Sequence, residues 1–535
     1  MDKEKDRPDA GLRSLDHYKI RLPRWRYLLR EQLLPIVRWE TPYVAWLQDT
    51  LRTPALDTYF AMTANLGTHT FFMIMLPILF WCGHTSVGRG MVHILASGVF
   101  FSGFIKDLLC LPRPLSPPLQ RITMSGSAAL EYGFPSTHST NAVSVAIYSF
   151  HLLQQQDSQL NPHVNLCLRV LCYCYAFSIV VGRLYCGMHG FFDVIVGSAL
   201  GAILAVAQCR WGEQFDEWLL AGDIQRVLFV ILIILVLIRI HPEPADDCPC
   251  FDDSVSFAAV MIGCQYAVWH FARTSYAWSE PSKGTVPFDL ARMGWSVAVL
   301  RILLGVLIIF AWRGVMKPTL LKILPPIFRI IETRGLTLPR RFFKPASEYG
   351  TIPRQENDDN VIPRARDIPH LLSSFRRRRA VSVGPQSEAD AYETLAYRNK
   401  KRRDSLNAAG SPSPANEHSP EPSYFEPDVP EETYISNRTR KRSSSLEMFR
   451  AQMGEGVEGL SPAVVNSPPG GHTPTRQEVQ EMDELQEKRI FSNIQTPRVR
   501  YDVEVVTKLI VYSGIAWLAI EGNPIVFQYA GLGVD

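Results

Sequence analysis

The chain has 535 residues, a net charge of +3, 47% hydrophobic and 20% charged residues. Those averages hide two regimes, one apolar enough for a membrane and one polar, so a single soluble domain is excluded. The net charge is small and the basic runs lack a folded platform, which argues against nucleic acid and leaves the membrane surface as the anionic partner.

Taken in order, residues 1–55 are basic, with Arg21, Arg24, Arg26, Arg30 and Arg38 alternating with Trp25, Tyr27, Leu28 and Leu33. This pattern predicts an amphipathic segment lying on a membrane surface. Met1 opens no secretory signal pattern, so the first span is expected to do the targeting. A multi-span core is expected over 56–315, with apolar runs at 58–82, 91–111, 141–155, 166–182, 190–209, 225–240, 254–272 and 292–312. Each is judged against the ~20 residues a bilayer requires, and the third and sixth are short. Cys167, Cys172, Cys174, Cys209 and Cys264 lie in apolar stretches and read as packing residues. Cys248-Pro-Cys250 sits in a polar loop and reads equally as a pair or as two free thiols.

A membrane-proximal linker is expected over 316–344, followed at 345–500 by a stretch rich in Ser, Pro, Arg and Glu without apolar periodicity. Such a stretch cannot bury enough surface to offset its ordering entropy and is expected to be disordered. Within it, arginines precede Ser382, Ser405 and Ser443 at the spacing that basophilic kinases use; a solvated basic linker is the plainer reading. The end, 501–535, is expected to hold a hydrophobic helix, either a late span or a docked helix, since it contains Glu521 and Pro524. The fold class is therefore all-α, a multi-span membrane bundle with a long polar insertion. No internal repeat, zinc spacing or nucleotide loop is visible.

Three polar clusters interrupt the apolar core: K-D-L-L-C-L-P-R-P with Lys106 and Arg113, Y-G-F-P-S-T-H-S with Ser136, Thr137 and His138, and G-R-L-Y-C-G-M-H-G-F-F-D with Arg183, His189 and Asp193. Ionisable residues near lipid default to a functional reading. His189 and Asp193 are four apart, so on a helix they share a face, and the carboxylate would fix the imidazole tautomer. Pro112 should end the helix carrying Lys106 and leave Arg113 on a loop. A helix beginning after Ser136–Thr137 would offer backbone N–H groups to an anion. Together these make a phosphate site: Lys106, Arg113 and Arg183 as clamps, His189 as nucleophile, His138 as acid and base. Binding of a metal by His189, Asp193 and His138 is the alternative, disfavoured by three nearby cations. An anion transporter or channel is another, but it would need neither the His189–Asp193 pair nor His138.

The pattern K-x6-R-P, P-S-x-H, R-x5-H-x3-D resembles the type 2 phosphatidic acid phosphatase superfamily, over about residues 40–315. K-D-x-x-C-L-P-R-P, Y-G-x-P-S-T-H-S and G-R-L-Y-C-G-M-H-G are similar to the fungal long-chain-base-1-phosphate phosphatases and the related sphingosine-1-phosphate phosphatases. Generic lipid phosphatases usually have S-G-H where this chain has Ser136-Thr137-His138, and S-R where it has Gly182-Arg183. The resemblance implies hydrolysis of sphingoid base 1-phosphates without a metal or other cofactor. It implies site roles for Lys106, Arg113, Ser136, His138, Arg183, His189 and Asp193. A broad phosphatase acting on phosphatidate or a polyprenyl phosphate, or a phosphotransferase, is the nearest alternative. Asp107 and Glu131 flank the clusters and are candidates to meet the sphingoid ammonium.

The resemblance also implies an endoplasmic reticulum membrane address with a lumenal site, whereas the arginine-rich N-terminus, two spans before Lys106, favours the cytosol. The lumenal site is the expectation kept here, with a cytosolic 345–500 tail that leaves the Asn437-Arg438-Thr439 sequon unglycosylated.

Overall fold

The computed structural model describes residues 10–11, 15–67, 69–116, 119, 121–122, 131–155, 161–336, 340–350, 352 and 499–534. The described residues are overwhelmingly helical: α1 Leu15–Arg21, α2 Arg24–Leu51, α3 Pro54–Ala64, α4 His69–Trp81, α5 Thr85–Leu109, α6 Thr137–Gln155, α7 Pro162–Tyr185, α8 Phe191–Ala221, α9 Ile224–Ile240, α10 Cys250–Phe271, α11 Leu290–Thr333 and α12 Val503–Tyr529. Six of them (α5, α7, α8, α10, α11 and α12) are long and apolar enough to cross a membrane. Their outward faces carry Leu, Ile, Val and Trp side chains such as Leu171, Ile203, Leu303 and Leu307, as a bilayer solvent requires. The chain is a multi-pass membrane protein.

The run expected at 58–82 is not one span. A tight turn at Asn65–Gly67 divides it into α3 and α4. A Cβ on Gly67 would lie 2.9 Å from the ring of His138, so the break lets the backbone pass close to that histidine. Helix α6 begins at Thr137, earlier than the apolar run that starts at 141. It buries Ser139, Thr140, Asn141 and Ser144, which lowers its hydropathy because its polar side faces protein rather than lipid.

Not all the arginines of residues 1–55 face outward as a surface segment would have them. In α2 the apolar residues Trp25, Leu28, Trp39, Tyr43 and Trp46 face outward, while Arg26 and Arg30 are buried. Arg26 Nε donates to Leu108 O at 2.8 Å and Arg30 Nε to Cys110 O at 3.1 Å. These carbonyls end α5, where unsatisfied acceptors and the helix dipole both favour a cation. The arginines therefore hold the helix that carries Lys106.

The C-terminal helix α12 is part of the bundle, packed on α10 and α11. Trp312 Nε1 donates to Val511 O at 3.1 Å and Trp81 Nε1 to Ala519 O at 2.9 Å. Glu521, which with Pro524 made this stretch ambiguous, has both carboxylate oxygens engaged. Glu521 accepts from Trp517 Nε1 at 2.9 Å and meets His270 Nδ1 at 2.6 Å, while Asn523 Nδ2 donates to Gly305 O at 3.1 Å. Phe343–Lys344 (β1) pairs in parallel with Arg500–Tyr501 (β2), joining the two ends of the long insertion. The serines at 382, 405 and 443 and the Asn437 sequon lie outside the described residues.

Candidate active site

Three chain segments meet at one end of α5, α6 and α8. Helix α5 ends at Leu109, with Cys110 left-handed (φ 51°), and Pro112–Arg113 follow as loop, as Pro112 leads one to expect. Helices α6 and α8 approach unusually closely: a Cβ on Gly197 would lie 2.6 Å from Ser136 O, and one on Gly201 2.2 Å from Thr140 O. Thr140 Oγ1 donates to Gly197 O at 2.9 Å, and Ser136 N to Asp193 O at 3.0 Å. Small residues at four-residue spacing permit this backbone approach, which sets the second cluster against the third.

His189 lies between two opposite charges. Its Nε2 is 3.1 Å from Arg113 Nη1, and its Nδ1 is 3.5 Å from Asp193 Oδ2. The shared helix face is not how the pair forms. Helix α8 starts at Phe191, with Gly190 as its N-cap, so His189 precedes it. Asp193, in the first turn, folds its carboxylate back to accept from Gly190 N at 3.0 Å, and this turn brings Oδ2 beside the imidazole. Helix capping thus does what helical spacing was expected to do. Burial pushes the imidazole pKa well below its ordinary value, helped by the charges of Arg113, Lys106, Arg183 and His138. The ring is neutral at physiological pH, with Nε2 on the cationic side.

Lys106, Arg113 and Arg183 all act electrostatically on His189. Arg113 donates to Met188 O at 2.8 Å and to the Glu131 carboxylate at 3.2 Å, and Lys106 Nζ is 3.4 Å from the same carboxylate oxygen. Arg183 is buried, acts electrostatically on His189, and its Nε has no hydrogen-bond partner among the described residues. His138, near the start of α6, interacts with His189 as well. Ser136 and Thr137 are at the same mouth, but their hydroxyls are engaged within the protein. Ser136 Oγ accepts from Ser139 N at 3.3 Å and from Ser139 Oγ at 3.0 Å, and Thr137 Oγ1 is 2.9 Å from Ser102 Oγ. What they offer an anion is the start of the helix rather than a hydroxyl.

Asp107 does not reach this site. It is fully buried 3.7 Å from His241 Nδ1, close to Cys248 and Cys250. Helical geometry explains this: neighbouring residues on α5 project about 100° apart, so Lys106 and Asp107 serve different faces. Cys248 and Cys250 are disulfide-bonded. Among the described residues, the cluster with metal-ligating spacing is this Asp107–Cys248–Cys250 group, not His189, Asp193 and His138. Glu40, which no motif flagged, enters from α2. Its Oε2 accepts from Phe192 N at 2.8 Å, at the start of α8.

A buried histidine 3.5 Å from a carboxylate and 3.1 Å from an arginine, under the charge of a second arginine and a lysine, is an arrangement suited to phosphoryl transfer. The PAP2 superfamily model matches residues 88–216, and the chain belongs to that superfamily. The chain is similar to a dihydrosphingosine 1-phosphate phosphatase of Schizosaccharomyces pombe, with 41% identity over 57% of this chain and 73% of the relative. A dihydrosphingosine 1-phosphate phosphatase of Saccharomyces cerevisiae shares 34% identity over 58% of this chain and 75% of its own length. Human sphingosine-1-phosphate phosphatase 2 shares 26% over 53% and 69%. No solved structure matches the chain.

Proposed function

We propose that this lipid phosphatase hydrolyses sphingoid long-chain base 1-phosphates to free base and phosphate, in the endoplasmic reticulum membrane with its site facing the lumen. The observation that carries the chemistry is the placement of His189 between Arg113 and Asp193. Asp193 holds Nδ1, so Nε2 attacks phosphorus while Lys106, Arg113 and Arg183 bind the phosphoryl oxygens. The P–O bond to the lipid breaks, and His138 gives its proton to the leaving alkoxide. His138 then takes a proton from water, which attacks the phosphohistidine and releases phosphate and His189. The substrate assignment rests on the kinship with the two fungal phosphatases. No metal is needed in this scheme. Both ends of the 345–500 insertion lie at the site end of α5, where Arg340 donates to His241 O and Arg500 to Cys248 O beside Asp107. The tail therefore leaves on the same side of the membrane as the site, and the expected pairing of a lumenal site with a cytosolic, kinase-accessible tail does not hold.

The test is phosphate release by the purified protein in detergent micelles, over a panel of dihydrosphingosine 1-phosphate, phytosphingosine 1-phosphate, phosphatidate and a polyprenyl phosphate. Preference for the sphingoid phosphates, unaffected by EDTA and inhibited by vanadate, is the expected result. Equal turnover across the panel would make it a broad lipid phosphatase, and loss of activity with EDTA restored by a divalent ion would replace the phosphohistidine.

A further inference from the structure

Glu40 has one more oxygen than its visible role uses. Oε2 caps α8 through Phe192 N, but Oε1 is buried without a hydrogen-bond partner, and the residue is only 2% exposed. A desolvated carboxylate oxygen without a donor is costly, so its retention calls for a ligand. Burial pushes the Glu40 carboxyl up from its ordinary range, and what opposes this is the backbone amides of Phe192 and Phe191 rather than a cation. The carboxylate is one residue from the nucleophile: a Cβ on Gly190 would fall 1.7 Å from Glu40 Oε1, so only glycine fits beside His189. It also borders a cavity of about 390 Å³ lined by Trp39, Tyr43, Trp46, Leu47 and Phe191. Trp39 and Trp46 are 67% and 64% exposed, so the cavity opens outward along an aromatic face of the kind that sits at a membrane interface.

We propose that Glu40 is the specificity residue for the long-chain base: Oε1 accepts the substrate ammonium, and the hydrocarbon chain leaves along the groove of Trp39, Tyr43 and Trp46. This rests on the sphingoid reading above and deepens it. The charges are complementary and the spacing follows the substrate. In a sphingoid 1-phosphate the ammonium is two carbons from the ester oxygen, so it stays within a few ångströms of a phosphoryl group held at His189, and the Glu40 carboxylate lies against Gly190, the next residue. The two carboxylates suggested by sequence are otherwise occupied: Glu131 is bound to Lys106 and Arg113, and Asp107 is buried elsewhere.

The test compares wild type and Glu40→Gln on dihydrosphingosine 1-phosphate, its N-acylated counterpart and phosphatidate. Glutamine keeps an oxygen for Phe192 N–H and removes the charge. The expected result is a rise in KM for the free-amine substrate of about 10-fold or more, the worth of one charged hydrogen bond. kcat should be nearly unchanged, and neither of the other substrates should be affected. Equal losses on all three substrates would reduce Glu40 to a helix cap and overturn the proposal, as would no change on any. If Glu40→Gln does not fold, Trp46→Ala decides: KM should rise for long-chain but not short-chain sphingoid phosphates, and equal effects refute the groove. Wild-type turnover of the sphingoid phosphates is read in the same experiment, so failure of the substrate assignment is seen separately.

Discussion

Replacing Asp193 by asparagine isolates the charge that faces the nucleophile. Asparagine keeps an oxygen to accept from Gly190 N, so the first turn of α8 and its packing against α6 should survive. What is lost is the attraction between the carboxylate and the imidazole as it gains positive character during attack. At the observed 3.5 Å and an effective dielectric near 20, that attraction is about 5 kcal/mol. It converts to roughly three orders of magnitude in kcat, in line with the ~10⁴-fold loss when the carboxylate of a serine-protease triad is changed to its amide. The assay is single-turnover phosphate release from a sphingoid 1-phosphate in micelles, with Tm and helical content measured on the same preparation. A well-folded variant that lost less than about tenfold in kcat would refute the reasoning, because His189 would then not depend on Asp193 for orientation or charge.

His189→Ala should abolish both turnover and the trapped phosphoenzyme, whereas His138→Ala should slow leaving-group departure while substrate still binds; an active His189→Ala protein ends the mechanism. Because burial and neighbouring cations depress the His189 pKa, its neutral form should persist as pH falls through 6.5, so phosphoenzyme formation, followed by rapid quench, should not titrate near that pH; a midpoint there contradicts the assignment. Glu131→Gln removes the carboxylate that occupies Lys106 and Arg113, and vanadate should then inhibit at lower concentration; unchanged or weaker inhibition would show that Glu131 does not compete with the phosphoryl group. Arg30→Met should lower stability by about 3 kcal/mol by uncapping α5, read as a fall in Tm, while the exposed Arg38→Met should leave Tm unchanged.

The division between sequence and tertiary structure follows the range of the forces involved. Local chemistry was legible without coordinates. Apolar runs of bilayer length mark most of the spans, because every backbone polar group in lipid must be satisfied within its own helix. Pro112 ends α5 by sterics alone, and the three clusters announce themselves because Lys, Arg, His and Asp are costly in apolar surroundings. What depends on long-range partners was not legible. Arg26 and Arg30 read as a membrane-surface pattern, yet they are drawn inward by the carbonyls of Leu108 and Cys110, some eighty residues away. Where the 58–82 run is interrupted, Gly67 lies against the ring of His138, far along the chain. Lys106 and Asp107 are neighbours in sequence but project from α5 in different directions, and only packing decides which meets the phosphate site. Glu40 carries no motif at all. Its meaning arises where α2 crosses the start of α8, a contact across 152 residues that one-dimensional spacing does not encode.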